Sequence, residues 1–177
     1  MSLAFRIHES GLAEIDARSS ELAALLIDAV DGGASIGFLA PLAVHEAIRY
    51  WTSVSESLTC ITLVAESGRK IVGSVQLELC DRTDGDHRAE LMKLMVHRGA
   101  RRQGIGRALV KGAEQAALNQ GRTLLVLDTR GGDPSESLYL SMGYTAVGCI
   151  PRYARSSDGK SHDTTVYYKE LTAHSPE

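Results

Sequence analysis

One stretch limits what this chain can become: LMVHRGARRQGIGRALVKGAEQAAL, from Leu94 to Leu118. Just upstream, Leu91 to Val96 is an apolar run interrupted by Lys93, a pattern that predicts a buried strand. A basic turn follows, with Arg98, Gly99, Arg101, Arg102, Gln103, Gly104, Gly106 and Arg107. Apolar residues then recur at helical spacing, at Ile105, Leu109, Val110, Ala113, Ala116 and Ala117. Strand, glycine turn, helix is therefore the order.

That order has a chemical use. The first N–H groups of a helix lack partners inside it, and the helix dipole is positive there. An anion at that point is held by several amides at once. Gly104 and Gly106 have no Cβ, so a ligand can approach the backbone closely. Four arginines, Arg98, Arg101, Arg102 and Arg107, surround the point, although the chain carries 19 basic against 22 acidic residues, a net −3. A phosphate-bearing ligand is predicted; the alternative is a solvated basic turn. The stretch has no Lys-Ser/Thr ending of a P-loop and is not G-x-G-x-x-G.

It does fit R-x-x-G-x-G, with Arg101, Gly104 and Gly106, placed after the strand Glu90–His97. This arrangement resembles the pyrophosphate-binding turn of the GNAT superfamily of N-acetyltransferases. The later segment SLYLSMGY, Ser137 to Tyr144, resembles that family's helix end, in the matching order. DGGASIGFLAPL (Asp31–Leu42), RAELMKLMV (Arg88–Val96) and LLVLDTRGG (Leu124–Gly132) resemble a toxin-resistance branch of the family that acetylates a β-lactam amino acid. The resemblance implies an α/β (α+β) GNAT fold. Its sheet is central, mixed and mostly antiparallel, of about six or seven strands, with helices on both faces. It also implies acetyl-CoA as cosubstrate and a small-molecule acceptor.

Acetyl transfer to an ammonium needs a base, a donor for the developing oxyanion, and an acid for the departing thiolate. By resemblance, Met95, Val96 and His97 pair with the pantetheine arm and supply the oxyanion donor. The turn residues Arg101, Arg102, Gln103, Gly104, Ile105, Gly106 and Arg107 hold the pyrophosphate. Glu90 leads as base, because a partly buried strand carboxylate has a raised pKa; otherwise it is a surface glutamate on an alternating face. Asp128 is second, at the end of a buried strand; otherwise it caps a turn or helix. The resemblance implies that the pair act together through waters. Tyr139 matches the family's general acid, and could instead orient the acceptor or simply pack on the sheet. The family's Asn and Ala at the start of this helix are here Gly132 and Ser135, so cofactor contacts there are not carried over.

The rest of the chain supports one domain, over 4–173, in a chain of 177 residues. Strands are predicted at Ala4–His8, Thr59–Glu66, Lys70–Cys80, His87–His97, Leu124–Asp128, Thr145–Ile150 and His162–Leu171. Helices are predicted at Leu12–Val30, Leu42–Ser55, the stretch after Gly104, and Ser135–Met142. Pro151–Ser161 reads as a loop and His174–Glu177 as a tail. Phe38 and Trp51 are candidates to line an acceptor pocket. Cys60, Cys80 and Cys149 form no CxxC and read as reduced core residues. No metal is expected, since no His/Cys/Asp cluster has ligand spacing. No nucleic acid or membrane partner is expected, and a cytoplasmic monomer or homodimer is. The rival readings are a non-catalytic acyl-CoA-binding sensor, or an acetyltransferase for protein or polyamine amino groups.

Overall fold

The structure, a computed structural model, describes residues 5–172. The expected strand start at Ala4 and the tail His174–Glu177 lie outside the described residues. Seven strands and five helices follow one another. They are β1 Arg6–Ser10, α1 Leu12–Ala17, α2 Ser19–Asp31, α3 Val44–Ser55, β2 Cys60–Ser67, β3 Lys70–Leu79 and β4 Arg88–Val96. Then come α4 Ile105–Asn119, β5 Leu124–Arg130, α5 Pro134–Ser141, β6 Thr145–Arg155 and β7 Ser161–Glu170. A single 3-10 turn, Arg98–Ala100, leads from β4 towards α4.

One sheet takes the order β1-β2-β3-β4-β5-β7-β6. Every neighbouring pair is antiparallel except β4 and β5. The expected mixed, mostly antiparallel sheet with helices on both faces is what the chain builds. Alternation along the strands sends Leu63, Val75, Leu77, Leu125 and Leu127 to a core under α4 and α5. Val64, Ile71 and Met95 go to a second core under α1–α3. All six apolar positions predicted for α4 are buried. Each fully buried Leu or Ile there contributes roughly 1.5–3 kcal/mol. Among the described residues no helix is long and apolar enough to cross a membrane.

Several element boundaries shift from the sequence pattern, among them β1, which runs to Ser10, and β5, which runs on to Arg130; three further departures have a visible cause. The helix expected over Leu12–Val30 breaks at Arg18, whose backbone leaves the helical region (φ −109, ψ 15). Its guanidinium is drawn to Glu14, Glu21 and Glu66, three carboxylates from three elements. Helix α3 begins at Val44 rather than Leu42, because Ala43 is extended and its N–H is met by the Glu46 carboxylate. Most of the expected loop Pro151–Ser161 is strand: β6 runs on to Arg155 through an irregularity between Ile150 and Ala154. Proline is tolerated there because β6 is an edge strand and the irregularity carries it. The true turn is closed by Ser156 N–H on the Lys160 carbonyl, 2.9 Å.

Candidate active site

The parallel pairing of β4 with β5 is short. Arg88, Ala89 and Glu90 pair with Leu124, Leu125 and Val126, and nothing pairs beyond. Yet β4 continues to Val96 and β5 to Arg130, so the two strands separate. They open a cleft of about 300 Å³. A β-bulge lies on β4 where the strands part: register with β3 jumps between Ser74 and Gln76, and Lys93 takes φ +51. A positive φ in a non-glycine residue is uncommon, and bulges gather beside functional sites, where they re-aim side chains.

Glu90 is the last residue of β4 paired with β5, and Asp128 lies two residues beyond its partner Val126. Residues opposite in a parallel pair share a face, as do residues two apart in a strand. Both carboxylates therefore stand on one face at the fork, and both line the cleft. They stay open to solvent there, with walls close by. Burial raises the Glu90 carboxyl above the ordinary range, and Asp128 and Glu78 add to this against the pull of Lys93. Burial raises Asp128 too, again opposed by Lys93. Carboxylates raised in this way are suited to take a proton from an ammonium. The helix cap weighed for Asp128 is made instead by Asp133, whose Oδ1 accepts the Ser135 N–H at 2.9 Å.

Lys93 is the cleft residue that sequence reasoning passed over, noting it only as a break in an apolar run. Its Nζ lies 5.8 Å from the ring centroids of both Phe38 and Tyr50. Burial lowers its pKa, while Glu90, then Asp128, then Cys60 oppose the shift. Phe38 touches the cleft through Lys93 and itself lines a smaller neighbouring cavity. Trp51 does neither: it is fully buried against α1 and α2, because the helical spacing of α3 turns Ala47, Trp51 and Val54 inward.

The cofactor side is built from backbone. Gly104, at φ +82, caps α4. The helix ladder opens with Ala108 N–H on the Gly104 carbonyl at 3.0 Å, so Ile105, Gly106 and Arg107 have amides without partners in the helix. A Cβ on Gly104 would meet nothing within 4 Å, and one on Gly106 only Leu138 Cδ2 at 3.5 Å and Val96 Cγ2 at 3.9 Å. Open space in front of free amides and a positive helix end fits a diphosphate. The arginines divide. Arg98 bonds Asp28 of α2, Arg101 donates to the Val96 carbonyl at 3.2 Å, and Arg107 reaches Ser141 at 2.6 Å. Arg102 has φ +64, and Arg102 and Gln103 are exposed beside the turn.

Two of the three strand amides expected to face the cleft do not. His97 N–H donates to the Val72 carbonyl of β3 at 2.9 Å. By alternation Met95 also turns its backbone to β3, and its side chain is buried in the α1–α3 core. Val96, between them, turns its backbone away from β3, and its carbonyl accepts from Arg101. The bulge set this phase, and nothing in the sequence marks it.

Tyr139 is 5% exposed, its ring 5.6 Å from Tyr144 and 6.3 Å from Tyr167, and it lines the cleft. Burial, then Asp133 and Asp128, raise its pKa well above the ordinary tyrosine value. The phenol therefore stays protonated and able to donate. Gly132 N–H is taken by Glu136, and Ser135 Oγ lies 2.8 Å from Thr129 Oγ1. Elsewhere, the three cysteines are free: Cys60 is half-buried and packs against the α1–α3 core, Cys80 is half-buried, and Cys149 is exposed and not a core residue. His8, Glu14 and Glu66 converge from three elements at metal-ligand distances. Arg6 and Arg18 already hold Glu66, which leaves that cluster poorly suited to a cation.

Comparison with known proteins gives the family and the fold. Residues 34–144 match the family described as "Acetyltransferase (GNAT) family". N-acetyltransferase 8 of Homo sapiens is 41% identical over 97 residues, which are 54% of this chain and 42% of that protein. The chain spans about two fifths of the length of the curated relatives it matches. The protein yncA from Salmonella typhimurium, solved with its cofactor acetyl-CoA, superposes with a TM-score of 0.78 at 18% identity, covering 98% of this chain and 97% of that one. The ribosomal-protein-alanine N-acetyltransferase of Brucella melitensis superposes at 0.77 and 23% identity, covering 94% and 99%.

Proposed function

The chain belongs to the acetyltransferase (GNAT) family, and on that premise we propose that it is an acetyl-CoA-dependent N-acetyltransferase for a small amino-acid-like acceptor. The observation that carries this reading is the fork: β4 and β5 part just beyond Glu90 and Val126, with Glu90 and Asp128 on one face of the opening. Acetyl-CoA, when bound, supplies the acetyl group as a thioester. The amides at the start of α4 and the glycines Gly104 and Gly106 hold its diphosphate. Val96, on the free edge of β4, offers its amide to the acetyl carbonyl. Glu90 and Asp128 take the proton of the acceptor ammonium, directly or through water. The Tyr139 hydroxyl gives a proton to the departing sulfur.

A second cavity of about 190 Å³ bears on the acceptor. It shares Ala34 and Ser35 with the cleft and is lined by Arg130 and Arg155 with one carboxylate, Asp158, and Arg130 also pairs with Asp133 at 3.7 Å. Arg130 lies two residues past Asp128 on the same face of β5. An amine over Asp128 thus brings a carboxylate towards the two guanidiniums. A β-lactam amino acid such as tabtoxinine-β-lactam, the acceptor of the tabtoxin resistance protein, has this form. A polyamine would set a second cation against the arginines. We read the protein as a cytoplasmic monomer or homodimer.

The test is a screen of amines with acetyl-CoA, following thiol release. Free amino acids and their analogues should react, and their amides or decarboxylated forms should react more slowly. Tight acetyl-CoA binding with no acetylated amine in a broad panel would discard the enzyme reading in favour of a sensor.

A further inference from the structure

The acceptor reaction leaves one amine of the cleft unused. Lys93 stands three residues after Glu90, on the bulge where the strands separate. Its Nζ rests against the faces of Phe38 and Tyr50, 5.8 Å from each centroid. Among the described residues it has no hydrogen bond and no ion pair. The aromatic faces attract the charged ammonium and put no oxygen acceptor on it, so its protons remain available to a base. The carboxylates that would deprotonate an external ammonium line the same cleft, as does Tyr139. Burial lowers the Lys93 pKa, and Glu90, Asp128 and Cys60 oppose it.

We propose that Lys93 is itself an acetyl acceptor, acetylated within the cleft by acetyl-CoA when no external amine competes. The inference rests on the acetyltransferase reading above. The Lys93 ammonium first gives one proton to Glu90 or Asp128, which passes it to solvent. The Nζ lone pair then attacks the thioester carbonyl carbon; the N–C bond forms and the C–S bond breaks. Sulfur leaves with the electron pair and takes the Tyr139 proton, and the second amine proton restores Tyr139 through water. The products are Nε-acetyl-Lys93, the free thiol of CoA and one proton released.

The full chain is incubated with acetyl-CoA and no acceptor, and each lysine peptide is followed by mass. Lys93 should gain one acetyl group at a rate independent of protein concentration. It should react roughly ten-fold or more faster than the exposed Lys70, Lys111 and Lys160, since the reacting groups are held together. The double variant Glu90→Gln, Asp128→Asn should slow Lys93 by about 10²-fold and leave the exposed lysines unchanged. Lys93→Arg should lose the fast phase. A second arm needs no acetyl-CoA: the N-hydroxysuccinimide ester of acetic acid should label Lys93 at neutral pH, and added CoA should protect it. An inert Lys93 in either arm, or equal labelling in the double variant, overturns the proposal. Amine acetylation with an unlabelled Lys93 would leave the proposed function standing. If neither amine nor Lys93 is acetylated, both fail.

Discussion

On one side of the candidate site, beyond the cleft lining itself, the groups are consecutive backbone amides at the start of one helix, Ile105, Gly106 and Arg107. On the other side, they are single side chains gathered from separate elements: Glu90 and Lys93 from β4, Asp128 from β5, Phe38 from the loop before α3, and Tyr139 from α5. The first wall is a local structure, complete once a glycine turn runs into a helix. The second exists only after the sheet has assembled and β4 has parted from β5. Mutations should therefore divide. Changes on the acceptor wall should alter chemistry and spare cofactor affinity, whereas changes on the amide wall should do the reverse.

The largest effect tests the acceptor wall. Glu90→Gln and Asp128→Asn should each reduce turnover by roughly 10²–10⁴-fold if that group is the base, with acetyl-CoA affinity nearly unchanged in calorimetry. Since both carboxyls are raised by burial, the acid limb of kcat/KM should lie above the ordinary carboxylate range. The stability effect has the opposite sign. A raised carboxyl binds its proton more tightly folded than unfolded, so its contribution is best at low pH and is lost as pH rises through the folded pKa. Each neutral variant should then melt slightly higher than wild type at pH 7, with the gap closing towards pH 4. Solvent access at the cleft keeps this gain small. Wild-type turnover in both variants would remove the base assignment.

A smaller effect tests the amide wall. Gly106→Val should weaken acetyl-CoA binding by on the order of ten-fold, about 1.4 kcal/mol, while turnover at saturation holds. The fold should survive, because a Cβ at this position makes only ordinary contacts with Leu138 and Val96. Unchanged affinity in the folded variant would show that the cofactor does not lie against this turn. A variant that loses turnover but keeps affinity would break the division between the walls.

The same division explains what could be read from the sequence. The six apolar positions of α4 and the glycine turn are local, and helical periodicity with two glycines was enough to place them. Glu90 and Asp128 were legible as residue types at strand ends. Their shared face was not, because it depends on β4 and β5 pairing in parallel, with partners 36 positions apart. Lys93 carried a signal, a cation inside an apolar strand, but the expected strand was regular and gave it no direction. The bulge also decides that Val96, and not Met95 or His97, turns its backbone away from β3, and a shift of one residue reverses that outcome. Arg155 joins the second cavity only because β6 continues past Pro151, where a proline and a glycine-bearing segment had suggested a loop.

The amide wall is not wholly local, and its one long-range tie gives the smallest prediction. Asp28, near the end of α2, accepts the Arg98 N–H at 2.9 Å and Arg98 Nε at 2.8 Å, with His97 Nε2 at 3.7 Å. It thereby holds the 3-10 turn that leads from β4 into the glycine turn. These bonds keep the Asp28 carboxyl below the ordinary range against the effect of its burial. Such a group contributes stability above its unfolded pKa and loses it as pH falls through the folded value. Asp28→Asn keeps one acceptor oxygen and loses the charge. If the turn needs this tie, acetyl-CoA should bind roughly two- to five-fold more weakly, a cost of about 0.4–1 kcal/mol in keeping with one exposed ion pair. The melting temperature should fall slightly at pH 7, and the gap from wild type should narrow below pH 4. A lower melting temperature with unchanged affinity would mean that Asp28 supports α2 while the glycines alone shape the turn. The amide wall would then be as local as its sequence suggests, and the contrast with the acceptor wall would be complete.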